Sequence, residues 1–244
     1  MAIEVFNRFE HKYLITREQL DKLLPIIDKH MAMDKYCLNH STYTIANLYY
    51  DTDDNMLIRK SLEKPQYKEK LRLRAYGIPD KDSFVFLEIK KKFKKCVNKR
   101  RTTLRLDEAY SFCSTGAQPE HKDYMNSQVC NEIEYFIKHY NVVPKVYIAY
   151  DRLAYFEAGN PDLRISFDTN IRTRRTDLRL EAGDHGMQLL PDGRWLMEIK
   201  TSKAKPLWLC DALTEIGIKR ISFSKYGTEY MNMLDKQIHI KEAV

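Results

Sequence analysis

In Lys68-Glu69-Lys70-Leu71-Arg72-Leu73-Arg74-Ala75-Tyr76, charged and apolar residues alternate at every step from Lys70 to Ala75. Successive side chains of an extended strand point to opposite faces, so Lys70, Arg72 and Arg74 share one face and Leu71, Leu73 and Ala75 the other. The pattern recurs in FVFLEIKKK (84–92), which sets Glu88, Lys90 and Lys92 against Val85, Leu87 and Ile89. NRFEHKY (7–13) sets Arg8, Glu10 and Lys12 against Phe9, His11 and Tyr13. In PKVYIAYDR (144–152) Tyr150 and Arg152 share a face, and in LRISFD (163–168) Arg164, Ser166 and Asp168 do. WLMEIKT (195–201) gives Leu196, Glu198 and Lys200 against Met197 and Ile199.

A half-exposed antiparallel sheet with its polar face in water is the simplest account of any one such strand. Taken together the strands say more, because a Glu-x-Lys unit recurs in three of them: Glu10/Lys12, Glu88/Lys90 and Glu198/Lys200. Solvated faces mix Ser, Thr, Gln and both charges without such a unit. The expected fold is α+β: an antiparallel β-barrel with its charged face inward and its apolar face outward against helices, which also leaves no open sheet edge.

The remaining segments supply those helices. Thr16 and Gln19 form a capping box ahead of Leu20, Leu23, Leu24 and Ile27, with Pro25 weakening the second half of that helix. Strands are expected over 4–15, 44–51, 68–76, 83–92, 97–106, 145–156, 163–168 and 195–201. Helices are expected over 107–114, 125–140, 207–216 and 224–237. The segment 169–188, with Arg172, Arg174, Arg175 and Arg179, reads as a solvated loop. With 8 Gly and 8 Pro scattered and no linker, repeat or low-complexity run, 1–244 reads as one domain.

The bulk properties agree. A hydrophobic share of 43% supports a core, and a net charge of +7 points to acidic partners. The five cysteines are scattered without metal-ligand spacing, and neither a signal-peptide core nor a membrane-length apolar run is present. A cytoplasmic protein is expected, touching a membrane only through a partner. The seven histidines lack ligand spacing.

The inward face carries ten cations (Lys12, Lys70, Arg72, Arg74, Lys90, Lys99, Arg101, Arg152, Arg164, Lys200) against four acids (Glu10, Glu88, Asp168, Glu198). Two like charges about 6 Å apart at an effective dielectric of about 20 repel by roughly 3 kcal/mol, so such a bore should hold a polyanion. Arginine forks match phosphate oxygens, and the few carboxylates suit a divalent metal completed by phosphate. A linear polyphosphate or nucleoside triphosphate with a metal is the expected ligand.

RFEHKY, LYYDT, KEKLRLR, FLEIKKK followed by VNKRR, YIAYDRLAY, LRISFDT, LMEIK and SFSKY, in this order from about residue 7 to about residue 230, resemble the VTC domain. These are the polyphosphate polymerase relatives of the CYTH-like triphosphate tunnel metalloenzymes. The resemblance implies an eight-stranded antiparallel tunnel, Mn2+ or Mg2+, and transfer of the ATP γ-phosphate to a growing polyphosphate chain. Carried over, Arg72, Arg74, Lys90, Arg152, Arg164 and Glu198 are the catalytic set. Lys12, Lys99, Arg101, Tyr150, Ser224 and Lys225 contact substrate by the same resemblance, with Lys99 and Arg100 as alternatives in register, and Lys70 and Lys200 join them from their place on the inward face. Glu198, Glu10 and Glu88 are the metal candidates. Tunnel triphosphatases carry Glu-x-Glu-x-Lys in the first strand; Arg8 in place of the first Glu tilts the expectation to the polymerase branch. The membrane-anchoring and phosphate-sensing parts of eukaryotic relatives are not expected here.

Two rivals stay open: hydrolysis of triphosphate or organic triphosphates in the same bore, and non-enzymatic binding of polyphosphate or nucleic acid. The run KKKFKK (90–95) with KRR (99–101) is the only feature favouring nucleic acid, and a narrow bore excludes a duplex. No nucleic-acid partner is expected.

Overall fold

The computed structural model describes residues 9–94, 96–157 and 160–242. In chain order the elements are β1 (Phe9–Ile15), α1 (Arg17–Ile27), β2 (Met31–Met33), β3 (Tyr43–Asp51), α2 (Met56–Leu62), β4 (Tyr67–Tyr76), β5 (Phe84–Phe93) and β6 (Cys96–Arg105). They continue with α3 (Leu106–Thr115), α4 (Ser127–Tyr140), β7 (Val143–Glu157), β8 (Asn160–Arg174), β9 (Met187–Gln188) and β10 (Trp195–Thr201). Helix α5 (Leu207–Glu215), β11 (Arg220–Ile221) and α6 (Lys225–Glu242) end the chain.

Eight long strands form one antiparallel sheet in the order β1-β10-β8-β7-β3-β4-β5-β6, with β11 added beside β1, β2 on β7 and β9 on β8. This is the α+β tunnel architecture expected, with one difference: the hydrogen-bonded sheet stays open. Among the described residues no ladder joins β6 to β1. The ends of the sheet meet through side chains instead, where Lys90 of β5 lies 3.6 Å from Glu10 of β1.

The outer face is apolar and covered. Leu71, Leu73, Leu87, Ile89 and Leu104 pack under Phe112 of α3 and Val129, Ile133 and Phe136 of α4. Ile165, Phe167, Met197 and Ile199 pack under Leu20, Leu23 and Ile27 of α1 and Leu209 and Leu213 of α5. Helix α1 starts on the capping box: the Gln19 amide donates to Thr16 Oγ1 at 3.2 Å, and the Thr16 amide donates to Gln19 Oε1 at 3.1 Å. It runs through Pro25, which is exposed, so the carbonyl left without a donor faces water.

The inner face is not charged along its whole length. Ile45, Tyr49, Ile148, Tyr150 and Leu196 meet Ile58 of α2 and Tyr226 and Tyr230 of α6. These two helices plug one end of the lumen. Asp51, fully buried at the end of β3, holds the plug together. It accepts from the amides of Leu57 (2.8 Å) and Ile58 (2.9 Å) at the start of α2 and from the Tyr226 hydroxyl (2.9 Å) of α6.

The segment expected as a solvated loop is otherwise built. Strand β8 continues to Arg174, and Arg172 and Arg174 are buried. Arg172 pairs with Asp151 at 3.0 Å and with Asp184. Arg174 donates to the carbonyls of Asp177, Arg179, Gly183 and His185 at 2.7–3.0 Å, fastening the excursion between β8 and β9. Gly186 lies so close that a Cβ there would sit 2.7 Å from the Thr173 carbonyl oxygen.

Candidate active site

Directly opposed residues of antiparallel strands share a face, so the registers decide which side chains look inward. Arg72 opposes Glu88 and Tyr49, Arg74 opposes Asn47 and Phe86, and Lys70 opposes Lys90. On β6, Lys99 opposes Lys90 and Arg101 opposes Glu88. Arg100 turns outward to Glu132 of α4. Lys99, not Arg100, therefore faces the lumen.

On this wall Glu88 is the hub. Arg72 Nε donates to its Oε2 at 2.7 Å, Lys99 Nζ lies 2.5 Å from its Oε1, and Arg74 Nε is 3.8 Å away. Burial works to raise the Glu88 pKa, yet Arg72, Arg74 and Lys99 together hold it well below the usual carboxylate range. Arg72 also donates to the Tyr49 hydroxyl (3.1 Å), and Arg74 to Asn47 Oδ1 (2.9 Å) and the Tyr150 hydroxyl (3.2 Å). Burial, reinforced by Lys68, Lys90 and Lys12, pushes Lys70 down to about 7. Burial, with Arg72 and Arg74 adding to it, brings Lys99 to about 7 despite Glu88.

The facing wall is richer in acid. Lys12 Nζ bridges Glu10 Oε1 and Glu198 Oε1 at 3.2 Å each, and Lys200 reaches Glu198 Oε2 at 3.4 Å. Arg152 grips Asp168 with both arms of its fork, at 2.6 and 2.8 Å. Lys225, at the start of α6, enters from the plug to meet Asp168 at 2.6 Å and Glu198 at 3.7 Å. Burial opposes ionisation of Glu10, but Lys90, Lys200 and Lys12 bring it to about 2. Glu198 is likewise held well below its usual range against burial by Lys12, Lys225 and Lys200. Burial would raise the Tyr150 phenol, yet Arg74, Arg152 and Lys225 lower it to about 8.

Of the other expected residues, Arg164 lies at the rim, 4.0 Å from Asp34 and over the Phe156 ring. Arg101 is exposed and sits over Phe86. The Ser224 hydroxyl accepts from the Gly227 amide at 3.1 Å and so caps α6. Arg8 lies outside the described residues. Asn47, Tyr49, Asp51 and Tyr226 were not singled out from the sequence; an asparagine and an aspartate inside the apolar run TIANLYYD were the available signal.

A hard divalent cation takes one or two carboxylates plus phosphate oxygens. Glu10 and Glu198, both ionised and bridged by one lysine, fit that donor set. Glu88 belongs to the opposite, basic wall. Among the described residues no three His, Cys, Asp or Glu side chains gather as a metal cluster.

The VTC domain family model matches residues 7–234. The chain belongs to the VTC domain family. Subunit 4 of the vacuolar transporter chaperone complex of Schizosaccharomyces pombe is 27% identical over 202 residues, covering 74% of this chain and 28% of that protein. This VTC chain thus spans 28% of the length of its curated relative. A candidate adenylate cyclase from Bacillus halodurans superposes with a TM-score of 0.54 at 12% identity, over 91% of this chain and 96% of that one. A candidate adenylyl cyclase from Hippeastrum, described as having a dominant triphosphatase activity, gives 0.54 at 16% identity, over 91% and 95%. At such identities the likeness is one of fold, the antiparallel tunnel with flanking helices. No helix among the described residues of this VTC chain is long and apolar enough to cross a membrane.

Proposed function

We propose that this VTC domain is a polyphosphate polymerase-like phosphotransferase, moving the γ-phosphate of ATP to a growing polyphosphate chain inside the lumen. The supporting observation is the state of the lumen carboxylates. Glu10, Glu88, Asp168 and Glu198 are all ion-paired, and all have lowered pKa values. With every lumen carboxylate engaged by a lysine or arginine, the bore is arranged to grip phosphates rather than to hold a free carboxylate base for water. A terminal phosphate oxygen is already ionised and attacks without a base. Phosphoryl transfer between phosphates then rests on positioning and charge neutralisation.

The roles follow from the geometry. Arg72 and Arg74, fixed by Glu88, Asn47 and the two tyrosine hydroxyls, present guanidinium edges to a phosphate chain. Arg152, locked on Asp168, and Lys200 and Lys225 face it from the other wall. Lys90, Lys99, Arg101 and Arg164 line the approaches as partly exposed point charges and forks. Glu10 and Glu198 would hold Mn2+ or Mg2+, which when bound would neutralise charge on the phosphate oxygens. Contact with a membrane would come through a partner subunit.

Incubation of the protein with ATP and Mn2+, followed by sizing of the products on a gel, tests this reading. Long phosphate chains are expected. Orthophosphate alone would make the domain a triphosphatase, and no turnover of ATP or triphosphate would leave it a binding module.

A further inference from the structure

The end of the lumen opposite the α6 plug carries a cluster of rings. Tyr36, Tyr43, Tyr76 and Phe86 form a continuous row, with centroid separations of 6.1, 6.1 and 5.7 Å. Tyr76 follows Arg74 by two residues on the inner face of β4, and Phe86 precedes Glu88 by two on β5. Tyr43 opposes Arg152 across the β3–β7 ladder. Phe86 and Tyr43 are therefore level with Arg74 and Arg152 on the phosphate-facing surface, and Tyr76 lies about 7 Å beyond Arg74 at the usual rise per strand residue.

Two of the rings, Tyr36 and Tyr76, are exposed rather than buried as packing. Tyr36 is 65% and Tyr76 50% exposed, although each contacts Tyr43, which packs against the core, and Lys35 lies over the Tyr36 ring. Two guanidinium groups lie over rings at the same rim, Arg101 over Phe86 at 4.6 Å and Arg164 over Phe156 at 4.5 Å. Rings and guanidinium planes beside a basic groove are the surfaces on which nucleobases stack.

We infer that Tyr36, Tyr43, Tyr76 and Phe86 form a stacking subsite for the nucleobase of a nucleoside triphosphate whose phosphates run inward to Arg74, Arg72 and Arg152. This rests on the reading of the lumen as a phosphate-chain site and adds what it lacks, a group that tells a nucleotide from a bare phosphate chain. The base then sits at the mouth, with the phosphates running inward. The opposite stretch of β4 and β5, with Lys68, Lys70, Lys90 and Lys92 on the same face, meets the Tyr226 ring of the plug beneath Lys70.

Equilibrium binding of ATP and of inorganic tripolyphosphate to the wild type and to Tyr76→Ala, without metal, separates the two claims. Loss of one stacking ring should weaken ATP about tenfold. Tripolyphosphate should bind both proteins alike, and Tyr76→Trp should restore ATP affinity. Equal loss for both ligands, or no loss for either, would overturn the stacking subsite while leaving the phosphate site standing. Failure of both ligands to bind the wild type would instead remove the phosphate-chain reading and the subsite with it. Tyr76 is half exposed, and matching melting temperatures for the variants will show that the fold is intact.

Discussion

The two walls of the lumen carry opposite balances of charge. On β4, β5 and β6, Lys70, Arg72, Arg74, Lys90, Lys99 and Arg101 surround a single carboxylate, Glu88. On β1, β10, β8 and the start of α6, the lysines and arginines meet three: Glu10, Asp168 and Glu198. In the first wall the acid serves the cations, fixing Arg72 and Lys99 against mutual repulsion. In the second the acids are dense enough for two of them, Glu10 and Glu198, to share one lysine, which is the arrangement a divalent cation can take over. The difference separates gripping phosphate from handling metal, within one rolled sheet.

Substitutions on the two walls should therefore fail differently. Glu198→Gln should lower synthesis from ATP by on the order of 100-fold or more, because charge neutralisation at the transferring phosphate is lost. Its metal-free affinity for tripolyphosphate should hold or rise, since a negative charge is gone. A parallel loss of both in calorimetry and product assays would erase the distinction between the walls.

Arg72→Ala should weaken metal-free tripolyphosphate binding roughly 100-fold, at about 1.5–3 kcal/mol per charge-assisted hydrogen bond lost. Arg72→Lys keeps the charge without the fork and should fall between the two. Equal affinities for Arg72→Lys and the wild type would show that charge alone, and not geometry, matters on the basic wall.

The basic wall should also take up protons. Near pH 8 Lys70 and Lys99, each at about 7, are mostly neutral in the free lumen. A bound polyanion raises both values, so the complex binds more protons than the free protein. This contribution to affinity is then greatest below about pH 7 and is lost as pH rises through the bound-state values. Binding enthalpies of tripolyphosphate measured at pH 8 in buffers of different ionisation enthalpy should reveal this uptake, smaller by about one proton at most in Lys70→Met. Buffer-independent enthalpies would contradict it.

The smallest effect is expected outside. Lys91 points away from the lumen to Glu132 at 3.2 Å. Lys91→Ala should leave tripolyphosphate affinity unchanged and alter stability by less than about 1 kcal/mol, as for other surface ion pairs. A large loss of affinity would mean that net charge, rather than the inner face, attracts the ligand.

Much of this was legible in the chain because a period of two depends only on the backbone. Strand β10 lies over Trp195–Thr201 as read, and Arg72, Arg74, Glu88, Glu198 and Lys200 share the inner face as read. Helix α2 was missed because its cap is tertiary. Asn55 makes no side-chain cap bond, and Asp51 at the end of β3 supplies the acceptor for the Leu57 and Ile58 amides. The far half of β8 reads as loop because TNIRTRR is polar, and its buried arginines are satisfied by carbonyls of a segment that the sequence does not place nearby. The pairing of Arg152 with Asp168 and the arrival of Lys225 depend on register and on the seating of α6, which alternation alone does not set.

The most direct test of the phosphate-chain lumen is the melting temperature of the wild-type protein with and without metal-free tripolyphosphate. At about 100 times its dissociation constant the ligand should add about 2.7 kcal/mol, a rise of about 5–10 °C. The rise should shrink sharply in Arg72→Ala at the same ligand concentration and persist in Lys91→Ala. An unchanged melting temperature in the wild type, or a rise that Arg72→Ala keeps in full, would contradict a lumen built to hold a phosphate chain.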